Sequence, residues 1–296
     1  MKMDVEMVYD ARAELAEGPV WHQGRLYWVN ITPGIFNCFD PVEKTNVSRS
    51  LGRMVGAAVP CDDGRWLLAC QDGFVFFDWN TGLFQPIHDP EAHLPRNRFN
   101  DGKCDPAGRF WAGTLNLDEE PQRSALYVLD TDRSVRRVLA PVSLSNGMGW
   151  SPDGATFYYI DTPTRQILAF DFDLATGGLS NQRVLVDLPA GPGYPDGMTV
   201  DSAGNLWVAL WGDHAVICLD GRRGELLRRV DLPVSQPSSC TFGGDRLDEM
   251  YVTTARQALT AEQCKKEPFA GALFRVKVGV TGCPAMAFRT GKGKRL

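Results

Sequence analysis

The sequence predicts an all-β fold: a six-bladed β-propeller, four antiparallel strands per blade, its ring closed by an N-terminal strand. Three observations predict it. One short phrase recurs six times along 296 residues, the copies are spaced like four-stranded blades, and helical periodicity is rare. The phrase is a glycine-containing turn followed by an aromatic or aliphatic strand. It first appears as Gly24-Arg25-Leu26-Tyr27-Trp28-Val29, then as Asp63-Gly64-Arg65-Trp66-Leu67-Leu68 and Ala107-Gly108-Arg109-Phe110-Trp111-Ala112. It returns as Asp153-Gly154-Ala155-Thr156-Phe157-Tyr158 and Ala203-Gly204-Asn205-Leu206-Trp207-Val208. The sixth copy is degenerate, Gly243-Gly244-Asp245 ahead of Met250-Tyr251-Val252. The anchoring glycines Gly24, Gly64, Gly108, Gly154, Gly204 and Gly244 lie about 40 to 50 residues apart.

Each copy can be filled with strands, the fifth most clearly. Gly197–Val200 reads as a short strand, Asp201–Gly204 as a turn, and Leu206–Leu210, Ala215–Leu219 and Leu226–Val230 as three more strands. The stretch Glu6–Arg12 is expected to supply the outer strand of the last blade, which removes an open pair of edges. Short helices are expected at Pro90–Leu94 and Thr260–Lys265. No Pro/Gly/Ser linker divides the chain, so residues 1–296 read as one domain.

Composition narrows the function. With 44% hydrophobic residues the chain can bury a large core. Lys+Arg number 31 and Asp+Glu 36, a net charge of −5, and no basic cluster is present to grip nucleic acid. The one basic run, Lys292–Arg295, reads as a solvated tail. Acidic residues stand where a signal peptide would have its apolar stretch, and no run of about 18 apolar residues suggests a membrane span. Eight scattered cysteines without a C-x-x-C pair read as buried, reduced thiols of a cytoplasmic protein. Four histidines in no metal-binding spacing give an imidazole site little support.

The chemistry emerges when the copies are aligned on their glycines. Eight residues before Gly108 stands Asn100, eight before Gly154 stands Asn146, eight before Gly204 stands Asp196, and seven before Gly24 stands Glu17. The same step in the other two copies reaches Gly56 and Gln236. In a propeller the first strand of every blade lines the channel, so equivalent positions form a ring around the axis. An oxygen-only set with two carboxylates suits a hard divalent cation, calcium best, with magnesium, manganese, iron and zinc as alternatives. Each of Glu17-Gly18, Asn100-Asp101-Gly102, Asn146-Gly147 and Asp196-Gly197 alone reads as a turn dipeptide. Their common register over four blades favours a shared site. Arg98 lies two residues before Asn100 and on an extended chain points to the same side. The acidic stretch Asp118-Glu119-Glu120 follows the strand Arg109–Leu115 and is placed to overhang the channel.

These residues resemble the regucalcin (senescence marker protein)/gluconolactonase family over nearly the whole chain. The matching segments are Ala16-Glu17-Gly18-Pro19-Val20-Trp21, Arg98-Phe99-Asn100-Asp101-Gly102-Lys103, Asp105–Arg109, Ser145-Asn146-Gly147 and Tyr194-Pro195-Asp196-Gly197. Phe269–Phe274 resembles the family's last strand. The resemblance implies a metal-dependent lactonase acting on sugar lactones. It implies metal ligands at Glu17, Asn146 and Asp196, with Asp196 also the catalytic acid/base. It implies substrate contacts from Arg98, Asn100 and one of Asp118, Glu119 and Glu120, of which Glu119 is assigned. No serine nucleophile is required, and no G-x-S-x-G elbow is present.

The partner implied is a small sugar lactone, with neither nucleic acid nor membrane, for a chain acting as a monomer or weak homo-oligomer. Two rivals use the same architecture. A calcium-binding or scaffolding propeller without catalysis needs no turnover, and a phosphotriesterase or aryl-ester lactonase would want a more apolar pocket and a second calcium.

Overall fold

Runs of β-branched and aromatic residues cut by Gly and Asp turns form 24 strands in six four-stranded antiparallel sheets. The structure, a computed structural model, describes residues 4–291. An opening strand, β1 (Val5–Tyr9), is followed by blade 1, β2 to β5 (Ala16–His22, Arg25–Asn30, Ile35–Asp40, Thr45–Ser50). Blade 2 is β6 to β9 (Val55–Pro60, Trp66–Cys70, Gly73–Phe77, Phe84–His88), and blade 3 is β10 to β13 (Asn97–Cys104, Phe110–Asn116, Ser124–Leu129, Val135–Val142). Blade 4 is β14 to β17 (Ser145–Trp150, Thr156–Asp161, Gln166–Asp173, Gly178–Asp187), and blade 5 is β18 to β21 (Tyr194–Val200, Leu206–Trp211, Ala215–Leu219, Leu226–Asp231). Blade 6 holds β22 to β24 (Pro237–Gly243, Glu249–Thr254, Leu273–Val276), and β1 completes it as the outer strand, with Glu6 opposite Arg275. Closure by the N-terminal strand is therefore as expected, over Val5–Tyr9.

Burial falls from the axis outward. The inner strands β6 and β14 are buried throughout, whereas the outer β5 and β21 are almost wholly exposed. The apolar surface packs between neighbouring blades, for instance Trp207 and Val216 of blade 5 against Val252 and Phe274 of blade 6. The expected helix at Thr260–Lys265 appears as α1 (Ala261–Lys266), started by a capping box in which Thr260 and Gln263 satisfy each other's backbone N–H. Pro90–Leu94 forms a turn closed by Leu94 N–H to Glu91 C=O, 2.7 Å, and no helix. Pro95 disfavours helical backbone at Leu94.

After β24 the chain straps the base of the propeller. Ser202 N–H donates to Thr281 C=O (2.9 Å), and Gly282 N–H to Leu247 C=O (2.8 Å), on the base turns of blades 5 and 6. Six residues later Phe288, fully buried, donates its N–H to Pro60 C=O of blade 2 (2.8 Å), and Arg289 N–H donates to Gly108 C=O of blade 3 (3.0 Å). Blades 2 and 5 face each other across a six-fold ring, so the segment between Gly282 and Phe288 crosses the axis. The basic run Lys292–Arg295 and residues Met1 to Met3 lie outside the described residues.

Candidate functional site

All six inner strands break register at one level. The breaks fall between Glu17 and Val20, Val55 and Ala57, Phe99 and Gly102, Ser145 and Met148, Pro195 and Met198, and Pro237 and Ser239. The four dipeptides that alone read as turns are thus β-bulges inside strands. A bulge leaves residues unpaired and re-aims their side chains. In blade 6 the unpaired residue is Ser238. Gln236, reached by counting, lies outside β22 and donates to Gln257 C=O at 3.0 Å. The count slips because the last copy of the phrase is irregular.

The bulges touch one another around the axis. A Cβ on Gly56 would lie 2.5 Å from Phe99 O, one on Gly147 2.5 Å from Asp196 O, and one on Gly197 2.9 Å from Ser238 O. Asn100 Nδ2 donates to Ser145 C=O (2.9 Å), and Ser238 Oγ to Ala16 C=O. Gly18 sits against Gly56. Every blade is thereby linked to the next. Glycine at 56 and 147 is a packing requirement, because any side chain there would push the ring open.

Glu17, Arg98, Asn100, Asp101, Asn146 and Asp196 are all buried at this level. Glu17 Oε2 accepts from its neighbour Gly18 N–H (2.8 Å), and Asp101 Oδ1 from Gly102 N–H (2.7 Å). Asn146 Nδ2 donates to Thr162 Oγ1 (3.0 Å), which donates to Pro195 C=O (2.8 Å). That chain fixes the amide's orientation and leaves Asn146 Oδ1 buried with no partner. Arg98 Nη1 donates to Asn100 Oδ1 and to Phe99 C=O, both 2.9 Å.

Three carboxylates crowd this space. Burial pushes Glu17 well above the carboxylate range and the charges of Asp196 and Asp101 add to it, while Gly18 N–H and Arg98 pull it back. Burial also drives Asp196 well up, with Asp101 adding and Asn146 and Gly197 N–H opposing. Asp101 is raised by burial and eased by Lys103 and Gly102 N–H. Burial lowers Arg98 to about 10, against the pull of Glu17. Lys103 Nζ donates to Met198 C=O (2.7 Å). Two cations, each already holding backbone carbonyl or amide oxygens, face three hydrogen-bond-starved carboxylates.

The structure therefore brings together Glu17, Asn100, Asn146, Asp196 and Arg98. Glu119 is not among them. It sits with positive φ (58°) in an exposed loop on the mouth side; its N–H donates to Asn116 C=O (3.0 Å), and its carboxylate makes no hydrogen bond or ion pair among the described residues. Its neighbours are engaged, Asp118 with Arg96 and Glu120 with Arg123. Asp101, Lys103 and Thr162 were not among the candidates. Simple alternation puts Asp101 on the face opposite Asn100, and only the bulge admits both. A lysine in an otherwise buried inner strand was the available signal for Lys103.

Among the described residues no three His, Cys, Asp or Glu side chains form a metal cluster, so a cation here would rely on amide oxygens as well as carboxylates. All eight cysteines are free thiols, six of them buried. No helix among the described residues is long and apolar enough to cross a membrane. Two cavities, about 600 Å³ beside Glu91 and Tyr127 and about 300 Å³ beside Trp21 and Tyr251, lie off the axis.

Fold and site together define a propeller protein with an oxygen-rich axial centre at one mouth. The chain belongs to the SMP-30/gluconolactonase/LRE-like family, whose description matches residues 15–256. It is 39% identical to regucalcin of Danio rerio over 96% of this chain and 98% of that one. It is 35% identical over 97% and 99% to a Bacillus subtilis protein with the provisional name sugar lactone lactonase YvrE. Among solved structures it matches a calcium-binding protein, regucalcin, from Agrobacterium tumefaciens, at TM-score 0.94 and 27% identity over 98% of both chains.

Proposed function

We propose that the chain is a metal-dependent hydrolase that opens a sugar lactone, such as gluconolactone, to the aldonic acid. The observation that carries this reading is the meeting of Glu17, Asn146 and Asp196 from blades 1, 4 and 5, short of counter-charge and of hydrogen bonds. A hard divalent cation suits this set. Neither carboxylate makes an ion pair among the described residues, burial outweighs the pull of Arg98 on Glu17, the buried Asn146 oxygen has no hydrogen-bond partner, and every donor atom is oxygen. Glu17, Asn146 and Asp196 would hold the ion, calcium being favoured over zinc, manganese, magnesium and iron on ligand type. When bound, the ion supplies Lewis-acid stabilisation of charge on the lactone oxygen.

The chain's own residues do the rest. The Asp196 carboxylate takes a proton from the water whose oxygen bonds to the lactone carbonyl carbon. It returns that proton to the ring oxygen as the C–O bond breaks, leaving a hydroxy acid. Arg98, with one guanidinium nitrogen held by Asn100 and Phe99 C=O, offers its remaining N–H donors to sugar oxygens. Asn100 keeps a spare lone pair for a sugar hydroxyl, and Glu119, outside the cluster on the rim loop, would contact the sugar only from the loop's edge. The family description and the name of the Bacillus subtilis relative support this reading. That the similar Agrobacterium tumefaciens structure is named a calcium-binding protein favours a second reading, cation binding without catalysis.

The test is hydrolysis of several aldonolactones after chelation, on re-addition of each of the five ions, and for Asp196→Ala. We expect activity to vanish on chelation, to return with an ion, and to be absent in the variant. Full rate in both the stripped enzyme and Asp196→Ala would refute the mechanism. Tight calcium binding with no turnover on any lactone would leave the second reading.

A further inference from the structure

We infer that Glu91, buried outside the axial ring, is a positioning residue that sets the shape of the acidic rim loop 117–123 through a relay of two asparagines. The Glu91 carboxylate accepts from Asn97 Nδ2 (3.0 Å), Thr114 Oγ1 (3.2 Å) and Tyr127 OH (3.0 Å). Asn97 Nδ2 also donates to Arg123 C=O, at the far end of the loop (2.8 Å). Asn97 Oδ1 accepts from Asn116 Nδ2 (2.8 Å). Asn116 Oδ1 accepts from Asp118 N–H (3.0 Å) and, more weakly, Glu120 N–H (3.4 Å), at the near end.

The logic of the relay lies in donor and acceptor inventory. An ionised carboxylate only accepts, whereas a carboxamide has one accepting and one donating end that can exchange by a flip. Glu91 demands the NH₂ of Asn97, which turns Asn97 Oδ1 toward Asn116. That oxygen demands the NH₂ of Asn116, which turns Asn116 Oδ1 toward the loop amides. The buried Glu91 side chain thus reinforces, from inside, the orientation that Arg123 C=O and the loop N–H groups favour from outside, and holds both ends of the segment carrying Glu119. Asn97 also opens β10, the strand that bears Arg98 and Asn100, so the relay ties the rim loop to the same strand. Glu91, Asn97 and Asn116 are all buried, where a wrongly turned amide would leave polar atoms unpaired and out of reach of water.

The kinetic arm of the test rests on the lactonase reading; the exchange arm does not. Glu91→Gln gives Asn97 a neighbour that can donate, which leaves Arg123 C=O and the loop N–H groups alone to hold the two amides and so loosens both. We expect amide hydrogen exchange at Asp118 and Glu120 to quicken by about tenfold. We expect KM for sugar lactones to rise about three- to tenfold, with kcat within about twofold and cation affinity unchanged. The double variant Glu91→Gln/Asn97→Asp reverses the first bond but again presents only an acceptor to Asn116, so exchange at Asp118 and Glu120 should return most of the way to wild type, while the far end at Arg123, which loses its donor, stays loosened and KM recovers only in part. A structural lesion would lower Tm and would not be rescued by a second substitution. Exchange at Asp118 and Glu120 unchanged in Glu91→Gln, or failure of the double variant to restore it, would overturn the relay. A chain without lactonase activity would refute the functional reading, while the exchange result would still decide for or against the relay.

Discussion

Strands β10 and β18 each hold a buried aspartate at the mouth-side bulge, Asp101 and Asp196, and run into a second just past their base end, Asp105 and Asp201, and the two kinds behave in opposite ways. At the base, Asp105 accepts from Ala107 N–H, Arg109 N–H, Arg109 Nε (2.6 Å) and Trp111 Nε1 (2.9 Å). Asp201 repeats the pattern in blade 5, accepting from Ala203 N–H, Asn205 N–H, Asn205 Nδ2 and Trp207 Nε1. At the mouth, Asp101 and Asp196 have little beyond the N–H of the following glycine and, for Asp196, its neighbour Asn146, and both are pushed up by burial. Burial alone therefore does not mark a working carboxylate. The base pair spends its lone pairs on the turn that anchors each blade, whereas the mouth pair leaves most of its own unspent, as the proposed cation site requires.

The contrast can be broken in four ways. Asp196→Asn should lower kcat/KM on the preferred lactone by roughly 10³-fold with the fold intact by circular dichroism, since an acid/base group contributes about 10²–10⁴. Asp105→Ala should do the reverse. It strands buried Arg109 and should cost about 3 kcal/mol of stability in denaturant melts while leaving cation affinity unchanged. Thr162→Val frees the Asn146 amide, and titration calorimetry should show cation affinity down by about tenfold, as when a partner of a metal ligand is removed.

The smallest effect concerns pH. Glu17 and Asp196 have folded-state pKa values raised above their unfolded ones, so the folded, chelated protein binds more protons than the unfolded chain. Their contribution to stability is complete below the ordinary carboxylate range and is lost as pH climbs through the raised values. Glu17→Gln should therefore raise the Tm of chelated protein at neutral pH by roughly 2–4 °C, the shift expected of about 1 kcal/mol, and flatten its slope with pH. A chelated wild type that grows steadily more stable from pH 5 to 8 would contradict the assignment.

Much of this was legible in the chain. The repeated glycine phrase marked the turns at the base, and counting back from it found Glu17, Asn100, Asn146 and Asp196, because the inner strands of blades 1, 3, 4 and 5 have nearly equal length. Counting failed at Gln236, where the sixth copy is irregular and Ser238 takes the place in the ring. The bulges were hidden because Asn-Gly and Asp-Gly have the same composition in a turn and in a bulge. Only the pairing of Phe99 with Thr114 and Gly102 with Ala112 separates the two cases. Asp101 was passed over for the same reason. The Glu91 relay was invisible because its members are joined by contacts between loop and strand, with no periodic spacing to reveal them.

The strap between Gly282 and Phe288 has a further consequence. By passing under the axis from blade 5 to blade 2 it braces the ring as a spoke braces a wheel. Spreading those two blades apart would have to pull Thr281 from Ser202 and Phe288 from Pro60, so the strap resists the outward strain that a closed circle of sheets would otherwise meet at its weakest seam.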